Sequence, residues 1–299
     1  MLQDRDTFSS YHPLVNFLYF GLVLLLTMFL MHPVSLLISL GSALCYGICL
    51  NGGRAVRSGM RFLLPAMLLA AVISPAFDHE GATLLAYLPS GNPLTLESIA
   101  YGVAAAVMIA AVVAWFSCYT VVMTSDKFVY LFGRVIPVLS LVLSMTLRFV
   151  PRFRAQLKTI SEVQRGIGRD VSGGPLLRRT RNAITVFSIM VTWALENAIM
   201  TADSMRSRGY GEPGRTSFSI YRFDARDRAL LAWLSFCGVF ILAGALSGGF
   251  YYSYSPMLRG APWTPLTAAF QAVYLLLCLT PIALELHSRL TWRKNQARA

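Results

Sequence analysis

Apolar residues gather along this chain in long runs almost free of formal charge: Leu14 to Leu30, Pro33 to Leu50, Ile99 to Met123, Leu230 to Phe250 and Leu266 to Leu286. A shorter run, Phe62 to Ala76, begins just after Arg61. A bilayer core about 30 Å thick takes roughly 20 residues of helix, with about 17 to 25 tolerated, so the pattern predicts six membrane-spanning helices. The first run leads through Met31-His32-Pro33 straight into the second with no small-residue cleavage site, so it reads as a span and not as a removable signal peptide.

Loop charge sets the orientation. Arg54, Arg57 and Arg61 lie between the second and third runs, whereas 77–98 carries Asp78, Glu80 and Glu97 and no Lys or Arg. The first loop is expected in the cytoplasm and the second outside. By the same rule 124–228 is cytoplasmic, the turn with Tyr251, Tyr252 and Tyr254 external, and the tail with Arg289, Arg293, Lys294 and Arg298 internal. Both termini are therefore expected in the cytoplasm.

The middle stretch breaks the pattern. It holds two further apolar runs, Val135 to Leu147 and Ala183 to Met200, flanked by Arg134 and Arg148 and by Arg181 and Arg206. A lone crossing by either would leave a basic flank outside, so both read as helices lying against the bundle or along the interface. From Arg148 to Arg181 there are nine Lys or Arg against Glu162 and Asp170.

Composition agrees with a membrane protein: of 299 residues, 56% are apolar and only 13% charged. The formal charge of +12 is explained by the basic cytoplasmic stretches and calls for no nucleic acid. All five cysteines lie inside apolar runs; Cys45 and Cys49 share a helix face but have no His or carboxylate beside them, so packing is the reading and no metal site is expected. Gly102, Ala106, Ala110 and Ala114, at i, i+4 spacing, form a seam for close helix approach, and Gly244 and Gly248 repeat the idea.

Candidate catalytic chemistry is thin. His12, His32, His79 and His287 share no motif, and neither a phosphate loop, an HExxH nor a GxSxG elbow occurs. Glu196 is a carboxylate within an apolar run, in line with Thr185, Ser188, Thr192 and Asp203; it is either a partner for a nearby arginine or part of an ion route.

A duplicated unit carries more. Gln164-Arg165-Gly166-Ile167-Gly168 and Ser207-Arg208-Gly209-Tyr210-Gly211 stand 43 positions apart. Pro151 suits a helix start, and Val150, Phe153, Leu157 and Ile160 make an apolar stripe leading to the first unit. Gly166 and Gly209 each read as the glycine that ends a helix, with Arg165 and Arg208 on the last turns. Two readings stand: a pair of ordinary C-terminal caps, or two guanidinium forks presented to acidic sites on other subunits.

The arrangement resembles the transmembrane T component of energy-coupling factor transporters, importers of vitamins and of cobalt or nickel in bacteria. The likeness rests on His12-Pro13-Leu14 before the first run, on the proline opening the second, on the stretch from Leu143 to Pro151, and on the two Arg-Gly tips. The family's tips read Ala-Arg-Gly; here Gln164 and Ser207 stand where alanine does. The resemblance implies an all-α polytopic membrane protein of about six transmembrane helices plus a cytoplasmic region with two long crossed coupling helices. The divisions expected are 1–123 with four spans, the coupling region 124–228, and 229–299 with two spans and a basic tail. It also implies a scaffold without cofactor or catalytic residue in the bacterial cell membrane. Gln164, Arg165, Gly166, Ser207, Arg208 and Gly209 would dock on two cytoplasmic ATP-binding ATPase subunits, and Phe153, Leu157 and Ile160 would carry a substrate-binding membrane subunit. The alternative is a secondary transporter or channel acting without ATPases, which predicts ionisable residues inside spans and an internal repeat.

Overall fold

The computed structural model describes residues 6–77, 81–87, 93–133, 136–173, 175–210, 212 and 221–296. Sequence readings at Asp78, His79, Glu80, Arg134, Val135, Gly211 and Arg298 lie outside the described residues.

A histidine followed by proline starts each of the first two helices. In α1 (Pro13–Phe29) Pro13 supplies the fixed φ of a first helical residue, and His12 caps it, Nδ1 accepting from the Leu14 N–H at 3.2 Å. The device recurs at α2 (Pro33–Phe77), where His32 Nδ1 accepts from Val34 N–H at 3.3 Å. A ring nitrogen accepts only when neutral, and burial pushes both imidazoles below their ordinary pKa, for His12 against the opposing pull of Asp227. The expected basic loop after Leu50 is instead helical: α2 changes course at the single residue Gly52 (φ 70°, ψ 168°) and continues through positions 54, 57 and 61. A left-handed glycine redirects a helix without a loop.

Two short antiparallel hairpins, β1 (Leu84–Tyr87) with β2 (Pro93–Thr95) and β3 (Tyr252–Ser253) with β4 (Arg259–Gly260), are the strands among the described residues. The remaining elements are helices: α3 (Leu96–Val122), α4 (Ser125–Gly133), α5 (Pro137–Gly166), α6 (Leu176–Ser207), α7 (Ala225–Leu246) and α8 (Pro265–Gln296). The protein is all-α. Among the described residues five stretches are long and apolar enough to cross a membrane: Pro33–Gly52, α3, α6, α7 and Pro265–Thr291, with the 17-residue α1 slightly shorter. By length and composition α6 is thus a sixth apolar helix beside the runs read as spans at its neighbours.

The helices divide into two compact units, Met1–Thr124 with Tyr221–Ala299, and Ser125–Ile220. In the first, Phe8, Tyr19, Phe20, Tyr46, Trp115 and Tyr274 form a core with the buried thiols of Cys118, Cys237 and Cys278, while Cys45 and Cys49 are exposed. One polar knot crosses it: Ser39 Oγ accepts from Trp115 Nε1 at 3.0 Å and meets Thr27 Oγ1 at 2.7 Å, which meets Tyr274 OH at 3.2 Å. Four helices are joined there, where no water competes. Gly102, Ala106 and Ala110 are buried on α3 and Ala114 half-buried, and beyond them Cys118 Sγ donates to the Ala43 carbonyl of α2. Gly244 is where α8 approaches α7, since a Cβ there would stand 2.7 Å from the Phe270 ring. Asp227 ties the ends of this interrupted unit together, accepting from His12 N–H with Oδ1 and from Asp224 N–H with Oδ2, both at 2.9 Å.

Candidate functional site

The second unit is built on α5 and α6, which run antiparallel. Phe153 meets Trp193 edge-on at 5.6 Å between centroids, Arg152 lies over the same indole, and Asn182 Nδ2 donates to the Asp170 carbonyl in the connecting loop at 2.8 Å. Between these links lie the buried residues of the two helices, Ile160 and Gln164 on α5 and Asn182 and Val186 on α6, each pair at i, i+4. The sequence start assigned to Pro151 is corrected: α5 begins at Pro137, whose ring suits a first helical position, and runs on through Pro151. Proline has no N–H, so the Leu147 carbonyl loses its bond inside the helix.

Both helices end in the same hydrogen-bonded closure. At α5 the C-cap is Ile167 and Gly168 is left-handed (φ 80°); its N–H donates to the Arg165 carbonyl at 3.0 Å and Arg169 N–H to the Gln164 carbonyl at 2.9 Å. At α6 the C-cap is Arg208 and Gly209 is left-handed (φ 67°), with Gly209 N–H on Arg206 O at 3.0 Å and Tyr210 N–H on Met205 O at 3.1 Å. These are two Schellman motifs. The glycine that ends α5 is Gly168, correcting the assignment to Gly166, which is helical with nothing within 4 Å of a built Cβ. Arg208 likewise sits at the cap rather than on the last helical turn.

Arg165 and Arg208 are both exposed, and the antiparallel pairing sends them to opposite ends of the hairpin. At about 1.5 Å of rise per residue, the helical lengths beyond the Phe153–Trp193 crossing set the two tips roughly 35–40 Å apart. Around the first tip the loop is strapped down. Arg165 Nε stands 3.4 Å from Asp170 Oδ2, Arg178 donates to the Gly168 carbonyl and Arg179 Nε to the Val171 carbonyl at 3.1 Å. Asp170 Oδ1 accepts from the backbone N–H and hydroxyl of Ser172, and these bonds, with Arg165 adding less, hold its carboxyl below the usual range.

The remaining predicted site residues are scattered. Gln164 faces the seam, buried, with an Oε1 that has no hydrogen-bond partner among the described residues. Ser207 is exposed and its hydroxyl donates back to the Ser204 carbonyl. Of the three platform residues, Leu157 is exposed, Phe153 half-buried and stacked on Phe149, and Ile160 buried in the seam. The face of α6 turned away from α5 exposes Ile184, Phe187, Val191, Leu195 and Ile199. Glu196 is exposed, and no ion pair to it is found among the described residues. Sequence reasoning missed Gly168, Asp170 and Arg206; the Gly-Ile-Gly spacing held the signal for the first, since either glycine fits a cap.

Residues 8–218 match the model of the cobalt transport protein family, CbiQ. The chain belongs to that family. The match takes in both Arg-Gly tips of this CbiQ-family chain, along with α1 to α6. Its curated relatives include the energy-coupling factor transporter transmembrane protein of Bacillus selenitireducens, 26% identical over 231 residues, 74% of this chain and 84% of that protein. The proteins of the same name from Exiguobacterium sibiricum (33% over 113 residues, 38% of this chain) and Lactobacillus helveticus (34% over 96 residues, 32%) match more narrowly. The chain spans 42% and 35% of their lengths. The resemblance to the transmembrane component of energy-coupling factor transporters therefore holds, and with its apolar helices the chain is a multi-pass membrane protein.

Proposed function

We propose that this chain is the non-catalytic coupling scaffold of an ATP-driven importer. Arg165 with Gly166 and Arg208 with Gly209 seat on two cytoplasmic ATPase subunits, whose closure on ATP moves α5 and α6 as levers. A separate substrate-binding membrane subunit rides on the apolar surface offered by Leu157, Phe153 and the outward face of α6, with Ile160 supporting it from within the seam. The observation that carries this reading is the pair of identical helix closures, each beside an exposed arginine, at opposite ends of one hairpin. No single small subunit site reaches both. The basic hairpin on the cytoplasmic side of the bacterial cell membrane, with both termini there, follows from the charge rule. The names of the relatives agree with a transporter role; the imported vitamin or metal ion is left to the substrate-binding subunit.

The test is the double variant Arg165→Ala/Arg208→Ala, expected to insert and fold normally but to lose ATPase subunits on purification and to abolish ATP-driven uptake. Each docked arginine, paired with an acid, is worth about 2–5 kcal/mol of assembly when truncated. Undiminished uptake by the double variant removes the coupling role.

A further inference from the structure

Superposing the two closures by their left-handed glycines changes which residues correspond. Gly168 falls on Gly209, so Arg165 falls on Arg206, Ile167 on Arg208 and Arg169 on Tyr210. The motif arginines Arg165 and Arg208, equivalent in sequence, are two residues out of step in the fold. Arg165 occupies the second position before its cap; Arg208 is itself the cap. Two residues turn a helix by about 200°, so these positions lie on opposite sides of the helix end.

We infer that the two tips are unlike grips, the second holding its partner through Arg206 as well as Arg208, on opposite walls of one acidic groove. This rests on the coupling reading above and names what each groove must offer. The first tip offers Arg165, already 3.4 Å from its own Asp170, with Arg169 exposed just beyond the closure, and at the position Arg208 holds in the second tip it offers Ile167, an exposed apolar residue. It fits a groove with one acidic wall and one apolar wall. The second offers a guanidinium on each side of the cap, with Arg206 exposed and in no ion pair among the described residues. Arginine suits both walls, because its planar fork meets a carboxylate in two parallel hydrogen bonds.

The experiment uses the full chain, affinity-tagged and extracted from its own membranes, with retained ATP hydrolysis as the readout across a KCl series. Arg206→Gln is expected to lower retained hydrolysis about tenfold at moderate salt, as Arg208→Gln does, and Arg206→Lys to restore part of it. Ile167→Arg, which leaves every backbone bond of the first cap in place, is expected to weaken retention by setting a cation against an apolar wall. Retention by Arg206→Gln equal to the unaltered chain at every salt concentration, alongside loss in Arg208→Gln, overturns the two-walled grip and leaves the coupling role standing. Full retention by Arg165→Ala/Arg208→Ala, or no hydrolysis retained by the unaltered chain, overturns the coupling role and this inference with it.

Discussion

Gly166 and Gly168 stand two residues apart, and only Gly168 has a backbone that asks for glycine. Gly166→Ala is expected to raise stability slightly, by about 0.5–1 kcal/mol, because alanine favours the helix and the Cβ enters open space. Gly168→Ala and Gly209→Ala force a side chain into the left-handed region and should each cost about 1–2 kcal/mol. Thermal unfolding in detergent separates the three variants. If the first tip docks, Gly166→Ala should also weaken ATPase retention despite its firmer helix, since the glycine then serves a partner's approach. The sequence showed that a helix ends near these residues but not at which glycine, because either of them could begin the closure. Only the hydrogen bonds from Gly168 and Arg169 decide.

At the level of the helices, the seam between α5 and α6 contains its own weak point. Gln164 brings a buried carbonyl oxygen with no donor among the described residues, and a buried group left unbonded costs on the order of 1–3 kcal/mol. Gln164→Met, close in shape, should therefore stabilise the hairpin by about 1 kcal/mol, visible as slower amide exchange in α5. The helix starts respond to pH. His12 and His32 have pKa values lowered in the fold, so the native state holds fewer protons than the unfolded chain. Their contribution is present above the ordinary value of 6.5 and lost as pH falls through the lowered values. Melting temperature should drop between pH 7.5 and pH 5.5, and His12→Asn, a cap that does not titrate, should reduce the drop. Periodicity identified the apolar stripe of α5 but broke the helix at Pro151. A proline that opens helices elsewhere in this chain was tolerated mid-helix here, and no local signal separates the two cases.

Across the whole molecule, the all-α membrane character was legible because bilayer thickness acts on composition directly. By contrast α6, read from its basic flanks as lying against the bundle or along the interface, is long and apolar enough to cross a membrane, and 62–76 is not among the candidate spans of the described residues. The relation between the tips was not legible either, since the sequence aligns Arg165 with Arg208 while cap geometry aligns Arg165 with Arg206. Orientation has its own test: a single cysteine at Ser207, in a chain stripped of its five native thiols, should react with a membrane-impermeant maleimide in inverted vesicles and not in intact cells. Reaction in intact cells would place the tips outside.

The paired hydrogen bonds of Asp227 carry one more consequence. One of them caps α7 itself, and the other joins the start of α1 to the start of α7, so the two chain segments of the larger unit meet there although 125–220 separates them in sequence. Cut in two and produced as separate fragments, 1–124 and 221–299 should find each other in the bilayer and co-elute, and Asp227→Ala should reduce the yield of that reunion.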